Sequence, residues 1–290
     1  MGVMNKVIYN GVDLTTLGLY VSGDKAFSSP EKDYEKVSIP GRSGDLFFWN
    51  GKYKNVDVEY DAILLPTPLY GSGTYEEKFR ANARTIKETL LSPEGYVRIE
   101  DDYNPDEFRL GVFAGPMDID AIFLQAGKSK LKFDCRPERF LKSGEIVKTV
   151  NWPSPSAVTV TLSVTNPTQF VSKPIFSLYK NDKIGDYVYE VSHNGAITSR
   201  FTINHNERTM SNYIYVDSEE LDCYYGDPSD ALVIDSDMER TYYNSHIIFD
   251  DDYDFPLFYP GENTVTITRP SDAAGTNGFA ILLWPRWYSL

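Results

Sequence analysis

From Lys54 to Ile63 the chain alternates without a break. Val56, Val58, Tyr60 and Ala62 fall on one side, and Asn55, Asp57, Glu59 and Asp61 on the other. A period of two is the period of a strand, and a clean split by polarity marks one face packed and the other in water. The stretch from Lys128 to Cys135 repeats the pattern with a mainly basic outer face, Leu131, Phe133 and Cys135 alternating with Lys130, Lys132 and Asp134. Opposite charges opposed across two strands favour pairing by tenths of a kcal/mol. The two strands are therefore expected to lie side by side.

One segment has helical spacing instead. Thr74 stands three residues before Glu77, the pattern of a capping box. Tyr75, Phe79, Ala83, Ile86 and Leu90 recur at intervals of three and four and predict one apolar stripe. Glu76 and Arg80 are correctly ordered for an i,i+4 ion pair, and Ser92-Pro93 stops the helix. Gly71-Ser72-Gly73 before it is too short for a phosphate loop and reads as a turn.

The second half reads as all-β. Ala157 to Val164 (AVTVTLSV) alternates, and His193-Asn194-Gly195 separates two strand-like runs, Tyr187 to Val191 and Ile197 to Ile203. Asn-Gly is the strongest short-range hairpin signal. Further strands are expected at Tyr213 to Val216, Thr264 to Thr268 and Phe279 to Trp284, with a turn at Gly226-Asp227-Pro228. Short strands at close spacing predict a two-sheet sandwich. A length of 290 residues suits about two domains. The Pro-, Gly- and Ser-bearing stretch from Phe140 to Pro155 marks the boundary, giving domains 1–145 and 146–290. The expected fold class is mostly β: a β-rich N-terminal domain with one helix, then a β-sandwich.

Charge and motifs narrow the function. Residues 1–145 hold 19 Lys and Arg against 23 Asp and Glu, a net of −4; residues 146–290 hold 9 against 19, a net of −10. Duplex nucleic acid repels such a surface, so sequence-specific nucleic-acid binding is not expected. No apolar stretch approaches the length of a membrane span, and the start lacks the basic-then-apolar order of a secretion signal. Cys135 and Cys223 are far apart and outside any CxxC, which predicts two buried free thiols. His193, His205 and His246 are scattered, and no HExxH, GxSxG or phosphate-loop motif occurs. The chain is therefore expected to be no enzyme and to carry no cofactor or metal.

Two alternatives stand beside that reading. Asp250-Asp251-Asp252-Tyr253-Asp254, with Asp235 and Asp237, offers oxygen ligands to calcium, though it lacks the Gly and Glu of a calcium-binding helix–loop–helix. Trp152, Trp284 and Trp287 could stack on a sugar, which is the adhesin reading.

Val7-Ile8-Tyr9-Asn10-Gly11-Val12-Asp13-Leu14, followed by Leu17-Gly18-Leu19-Tyr20-Val21, resembles the start of the distal tail proteins of long, non-contractile-tailed bacteriophages. Val37-Ser38-Ile39-Pro40-Gly41-Arg42-Ser43-Gly44-Asp45-Leu46 is similar to a signature loop of that family. So are the stretch from Tyr96 to Gly115 and the closing Phe255-Pro256-Leu257, Pro260-Gly261-Glu262-Asn263 and Pro285-Arg286-Trp287. The resemblance implies a hexameric ring made by the N-terminal domain around an open channel, and a galectin-like C-terminal sandwich projecting outward. It implies a hub at the virion tail tip, assembled in the bacterial host cytoplasm. Its partners would be the tail-tube protein, a tail-associated tip protein and receptor-binding proteins. The chain resembles a short member with no inserted carbohydrate-binding module.

Pro40, Gly41, Arg42, Ser43, Gly44 and Asp45 form the candidate subunit-interface loop. Their glycines allow unusual backbone angles and the arginine can bond charge-assisted to a neighbour; an ordinary long hairpin turn is the plainer alternative. A channel that passes DNA needs walls that do not hold phosphate, so a neutral to acidic lumen is expected. Asp57, Glu59 and Asp61, or the Glu100-Asp101-Asp102 turn, are the candidate lining.

Overall fold

Antiparallel sheets account for almost every element of the computed structural model, which describes residues 5–22, 28–65, 73–122, 126–150, 152–153, 156–178, 185–205, 213–226, 241–242, 247–250, 252–270 and 281–290. The chain divides into a unit Met1–Arg139, joined by Leu290, and a unit Phe140–Ser289. The division falls a few residues before the expected one. Val150 and Trp152, from the Pro- and Gly-bearing stretch, are buried in the second unit's core. These two residues are packed structure rather than linker.

The first unit comprises β1 (Val7–Tyr9), β2 (Val12–Asp13), a 3-10 turn (Leu14–Leu17), β3 (Leu19–Ser22), β4 (Lys32–Val37), β5 (Leu46–Tyr53), β6 (Val56–Leu64), α1 (Tyr75–Leu91), β7 (Val97–Asp101), β8 (Glu107–Phe113), β9 (Asp120–Ile122) and β10 (Ala126–Leu141). Its main sheet runs β2-β1-β7-β8-β10-β6-β3. β6 and β10 pair antiparallel as the charge pattern predicts, with Leu131 opposite Tyr60 and Phe133 opposite Val58. Val56, Val58, Tyr60, Leu131, Phe133 and Cys135 all point into one core. α1 joins that core through Phe79, Ile86 and Leu90.

The helix begins where the capping box puts it. The Thr74 hydroxyl accepts from Glu77 N at 3.3 Å, and the Glu77 carboxylate accepts from Thr74 N at 2.8 Å. Glu76 and Arg80 pair as expected. Tyr75 departs from the stripe: it is 69% exposed, on the first turn. Asn82 is fully buried in its place, donating to the Leu65 carbonyl. Of the preceding Gly71-Ser72-Gly73, only Gly73 lies within the described residues.

The second unit comprises β11 (Lys148–Val150), β12 (Thr159–Asn166), β13 (Ile175–Leu178), β14 (Gly185–His193), β15 (Ala196–His205), β16 (Tyr213–Asp217), β17 (Asp222–Gly226), β18 (Thr241–Tyr242), β19 (Ile247–Phe249), β20 (Gly261–Thr268) and β21 (Ile281–Trp284). They form two sheets, β11-β21-β13-β16-β17-β18 and β12-β20-β14-β15-β19. One core draws Phe176, Val216 and Leu283 from the first and Tyr189, Phe201 and Val265 from the second, so the sheets face each other as a sandwich. Asn194 and Gly195 take φ of 51° and 80° between β14 and β15, the left-handed pair that a two-residue hairpin requires. Cys135 and Cys223 are free and buried, and burial raises the Cys223 thiol to about 12. The fold is mostly β, with one α-helix among the described residues.

Candidate assembly surface

β4 and β5 pair with each other and with no other described strand, forming a two-stranded arm in the first unit. A two-stranded ribbon alone is marginally stable in water. Its root is tied down. The buried Arg109 guanidinium, on β8, donates to Ser28 O at 3.2 Å, and Lys54 N donates to Glu31 O at 2.8 Å, closing the base of the ribbon itself. Burial is the main reason that the Arg109 guanidinium sits below its ordinary value; nearby Arg139 adds to it.

Three consecutive aromatics lie on β5. Phe47 is 52% exposed, Phe48 54% and Trp49 50%. Consecutive strand residues point to opposite faces, so an aromatic run leaves neither face polar. Register sorts the arm into two faces. Tyr34 stands opposite Trp49, Lys36 opposite Phe47 and Lys32 opposite Tyr53. The Lys36 ammonium lies over the Tyr34 ring, and that of Lys32 over Trp49. On the other face Glu35 stands opposite Phe48 and Val37 opposite Leu46, while Asp33 pairs with Lys52 at 3.5 Å. One face is aromatic and cationic; the other is apolar and carries the Asp33–Lys52 pair and the carboxylate of Glu35, a net negative charge. Half-exposed rings of this size leave roughly 300 Å² of apolar surface uncovered, a patch size that is often functional.

Pro40, Gly41, Arg42, Ser43, Gly44 and Asp45 form the tip that joins β4 to β5, and all are exposed. Gly41 and Gly44 have φ of 81° and 82°, so the turn does need them. Arg42 N donates to Ile39 O, and its side chain has no ion pair among the described residues. The glycines of the loop point to the tip and not to the aromatics behind it. The signal for them was the run Phe47-Phe48-Trp49, which no half-buried strand can accommodate.

The other candidates separate on burial and pairing. Asp57, Glu59 and Asp61 do face outward, but the basic row of β10 lies beside them: Lys132 pairs with Asp57 at 2.8 Å and Lys130 with Asp61 at 3.8 Å. Hydrogen bonding to Asp57, foremost, lifts the Lys132 ammonium above its ordinary value. At the turn, Glu100 pairs with Arg98, Asp101 accepts from the Tyr60 hydroxyl at 2.6 Å, and Asp102 lies 4.0 Å from Lys6. Asp57, Asp61, Glu100 and Asp102 each have a cationic side chain within 4.0 Å, so neither group is a row of carboxylates alone. Trp152, Trp284 and Trp287 are 8%, 2% and 3% exposed, packed in the sandwich and closed to a sugar. Asp250 pairs with Arg200 and Asp254 accepts from Phe255 N; Asp235, Asp237 and Asp251 lie outside the described residues. No metal-holding group of His, Cys, Asp and Glu occurs among the described residues. His193 stacks on Tyr259 and bonds to the Glu262 carbonyl, while His246 and the turn residues Asp227 and Pro228 lie outside the described residues. No helix of the described residues is long and apolar enough to cross a membrane.

No protein-family model and no curated protein matches the sequence. Solved structures do match its fold. The crystal structure of the Dit protein of phage SPP1, described as a paradigm of the hub adsorption apparatus in phages infecting Gram-positive bacteria, aligns over 99% of both chains. Its TM-score is 0.60 at 16% identity. The chain has a distal-tail-protein fold. A chain of the phage p2 baseplate in its activated conformation with strontium also aligns, over 93% of this chain and 99% of that one, with a TM-score of 0.46 and 10% identity.

Within the distal-tail-protein fold, the motif residues divide into two kinds. Asn10 and Gly11 make the left-handed turn between β1 and β2, and Gly18, at φ 83°, closes the 3-10 turn. Asn263 is fully buried and brackets its own turn, bonding Tyr259 N and O and Gly261 O. These residues build the fold. The arm tip builds nothing within the chain, because its side chains end in water.

Proposed function

We propose that the chain is a structural hub of a bacteriophage tail tip: a homo-hexameric ring formed by the first unit, with the second unit as an outward, galectin-like sandwich. The role comes from the protein whose fold it shares over the whole length. The observation that carries it in this chain is the arm, a ribbon with both faces apolar and exposed that needs a protein surface to cover it. Heterologous contacts form a ring when the rotation between neighbours closes. The ring would join the tail-tube protein to a tail-associated tip protein and to receptor-binding proteins in the virion. It would do so without catalysis, cofactor or metal. Burial of Trp152, Trp284 and Trp287 removes the stacking platform on which the adhesin reading stood.

Light scattering and negative-stain electron microscopy of the chain, alone and mixed with the tail-tube protein of its phage, test the reading. Six-fold rings are expected. Monomers that persist in the mixture would overturn it.

A further inference from the structure

We infer that the arms of neighbouring copies stack on one another, the lysine face of one against the carboxylate face of the next. The inference rests on the ring reading and names its contact. Three charges on the arm carry the argument. Lys32, Lys36 and Glu35 have no ion-pair partner among the described residues, although Lys52 and Asp33 pair on the same arm and Lys130 and Lys132 pair with Asp61 and Asp57 on the first unit's sheet. The two lysines lie on the face of Tyr34, Phe47 and Trp49, and the glutamate lies on the face of Phe48.

Two copies could meet through like faces or through unlike ones. Lysine face on lysine face sets Lys32 and Lys36 against their own copies, and the opposite pairing sets Glu35 against Glu35. Like charges across a contact suppress it. Only the unlike pairing matches charge while covering aromatic with apolar surface. It uses different surfaces on the two copies, so each arm takes one neighbour on each face, and the relation repeats until it closes. Ribbons packed face to face sit about 10 Å apart, a spacing that lets rings such as Trp49 and Phe48 interdigitate. The bond from Arg109 on β8 to Ser28 O ties the arm's root to the main sheet.

Charge reversal tests this. K32E/K36E makes both faces acidic, and E35K makes the second face basic. Each variant alone should associate at least about tenfold more weakly than the parent chain. An equimolar mixture should associate again, because each variant's reversed face meets its complement on the other. Disulfide trapping gives the geometry, since the native thiols are buried. K36C and E35C copies should cross-link when mixed and not when separate. Rings from both single-face variants at parental strength would overturn the stacking and leave the ring reading intact. So would weakened variants that the mixture fails to rescue, because the lysines would then dock elsewhere on the neighbour. A parent chain that never associates, alone or with the tail-tube protein, would overturn both.

Discussion

Arg286 and Asp217 meet as a fork across 69 positions of sequence, Nη1 to Oδ1 at 2.6 Å and Nη2 to Oδ2 at 3.1 Å. Asp217 is fully buried on β16, and its Oδ1 also accepts from Glu219 N and Glu220 N. The Arg286 side chain is 12% exposed. Only a guanidinium supplies two parallel donors in this plane. Arg286→Leu or Asp217→Asn should destabilise the chain by about 3–5 kcal/mol, because either leaves a charge buried without its partner. Urea denaturation measures it. A loss below about 1 kcal/mol would mean that the pair adds little to stability.

Gly144 is required for space. A Cβ there would come within 2.3 Å of Trp287 N and 3.1 Å of Arg286 C, both backbone atoms. Arg286 N also donates to Gly144 O at 2.9 Å, so the two segments cannot part without losing that bond. Gly144→Ala should cost about 1–3 kcal/mol. An unchanged melting temperature would refute the close approach.

The capping box predicts an acid-sensitive helix. Bonds from Thr74 hold the Glu77 carboxyl below its ordinary value of 4.5. A lowered carboxylate pKa contributes stability that is whole above the ordinary value and is lost as pH falls through the folded one. Amide exchange in the first turn of α1 should therefore quicken as pH drops below 4.5, after correction for the intrinsic rate. Thr74→Ala should cost about 1 kcal/mol at neutral pH and less in acid.

Tyr60 gives the opposite sign. Burial first, then the Asp101 charge and the hydrogen bond to it, push the Tyr60 hydroxyl well above 10. A raised pKa contributes stability that is whole below the ordinary value and is lost as pH rises through the folded one. Tyr60→Phe should cost about 1 kcal/mol at neutral pH. It should also make the chain less sensitive to alkali, seen as an unfolding midpoint shifted to higher pH. Unchanged alkaline unfolding would show that this hydroxyl does not govern it.

Arg42→Ala separates assembly from folding. The side chain is exposed at the arm tip, so its loss should move stability by no more than about 0.5 kcal/mol. If the guanidinium bonds a buried charge on a neighbour, association should weaken by about 2–5 kcal/mol. Sedimentation and a thermal melt on the same sample check both. A variant that unfolds would make Arg42 a structural residue.

Much of the fold was legible because its signals are local. The alternation around Val58 and Phe133, the Asn194-Gly195 turn and the Thr74–Glu77 box each sit within a few residues. Even the pairing of β6 with β10 followed from opposite charge on two outer faces. The candidate site was half legible. Gly41 and Gly44 announced a sharp turn, but its flanks needed the reading that three aromatics in a row leave a strand no wet face. The acidic row of Asp57 and Asp61 looked bare only because its neutralising lysines come from a strand some seventy residues away.

The chain by itself determined where strands and the helix start, what turns them and which side of each is apolar. Those properties follow from backbone sterics and side-chain polarity over short spans. The tertiary structure alone decided which apolar sides are covered. Trp152, Trp284 and Trp287 went into a core, while Trp49 stayed half exposed on the arm. It also brought Arg286 to Asp217. Burial and pairing depend on what arrives from distant sequence, and one local pattern serves a core strand or an assembly surface according to what packs against it.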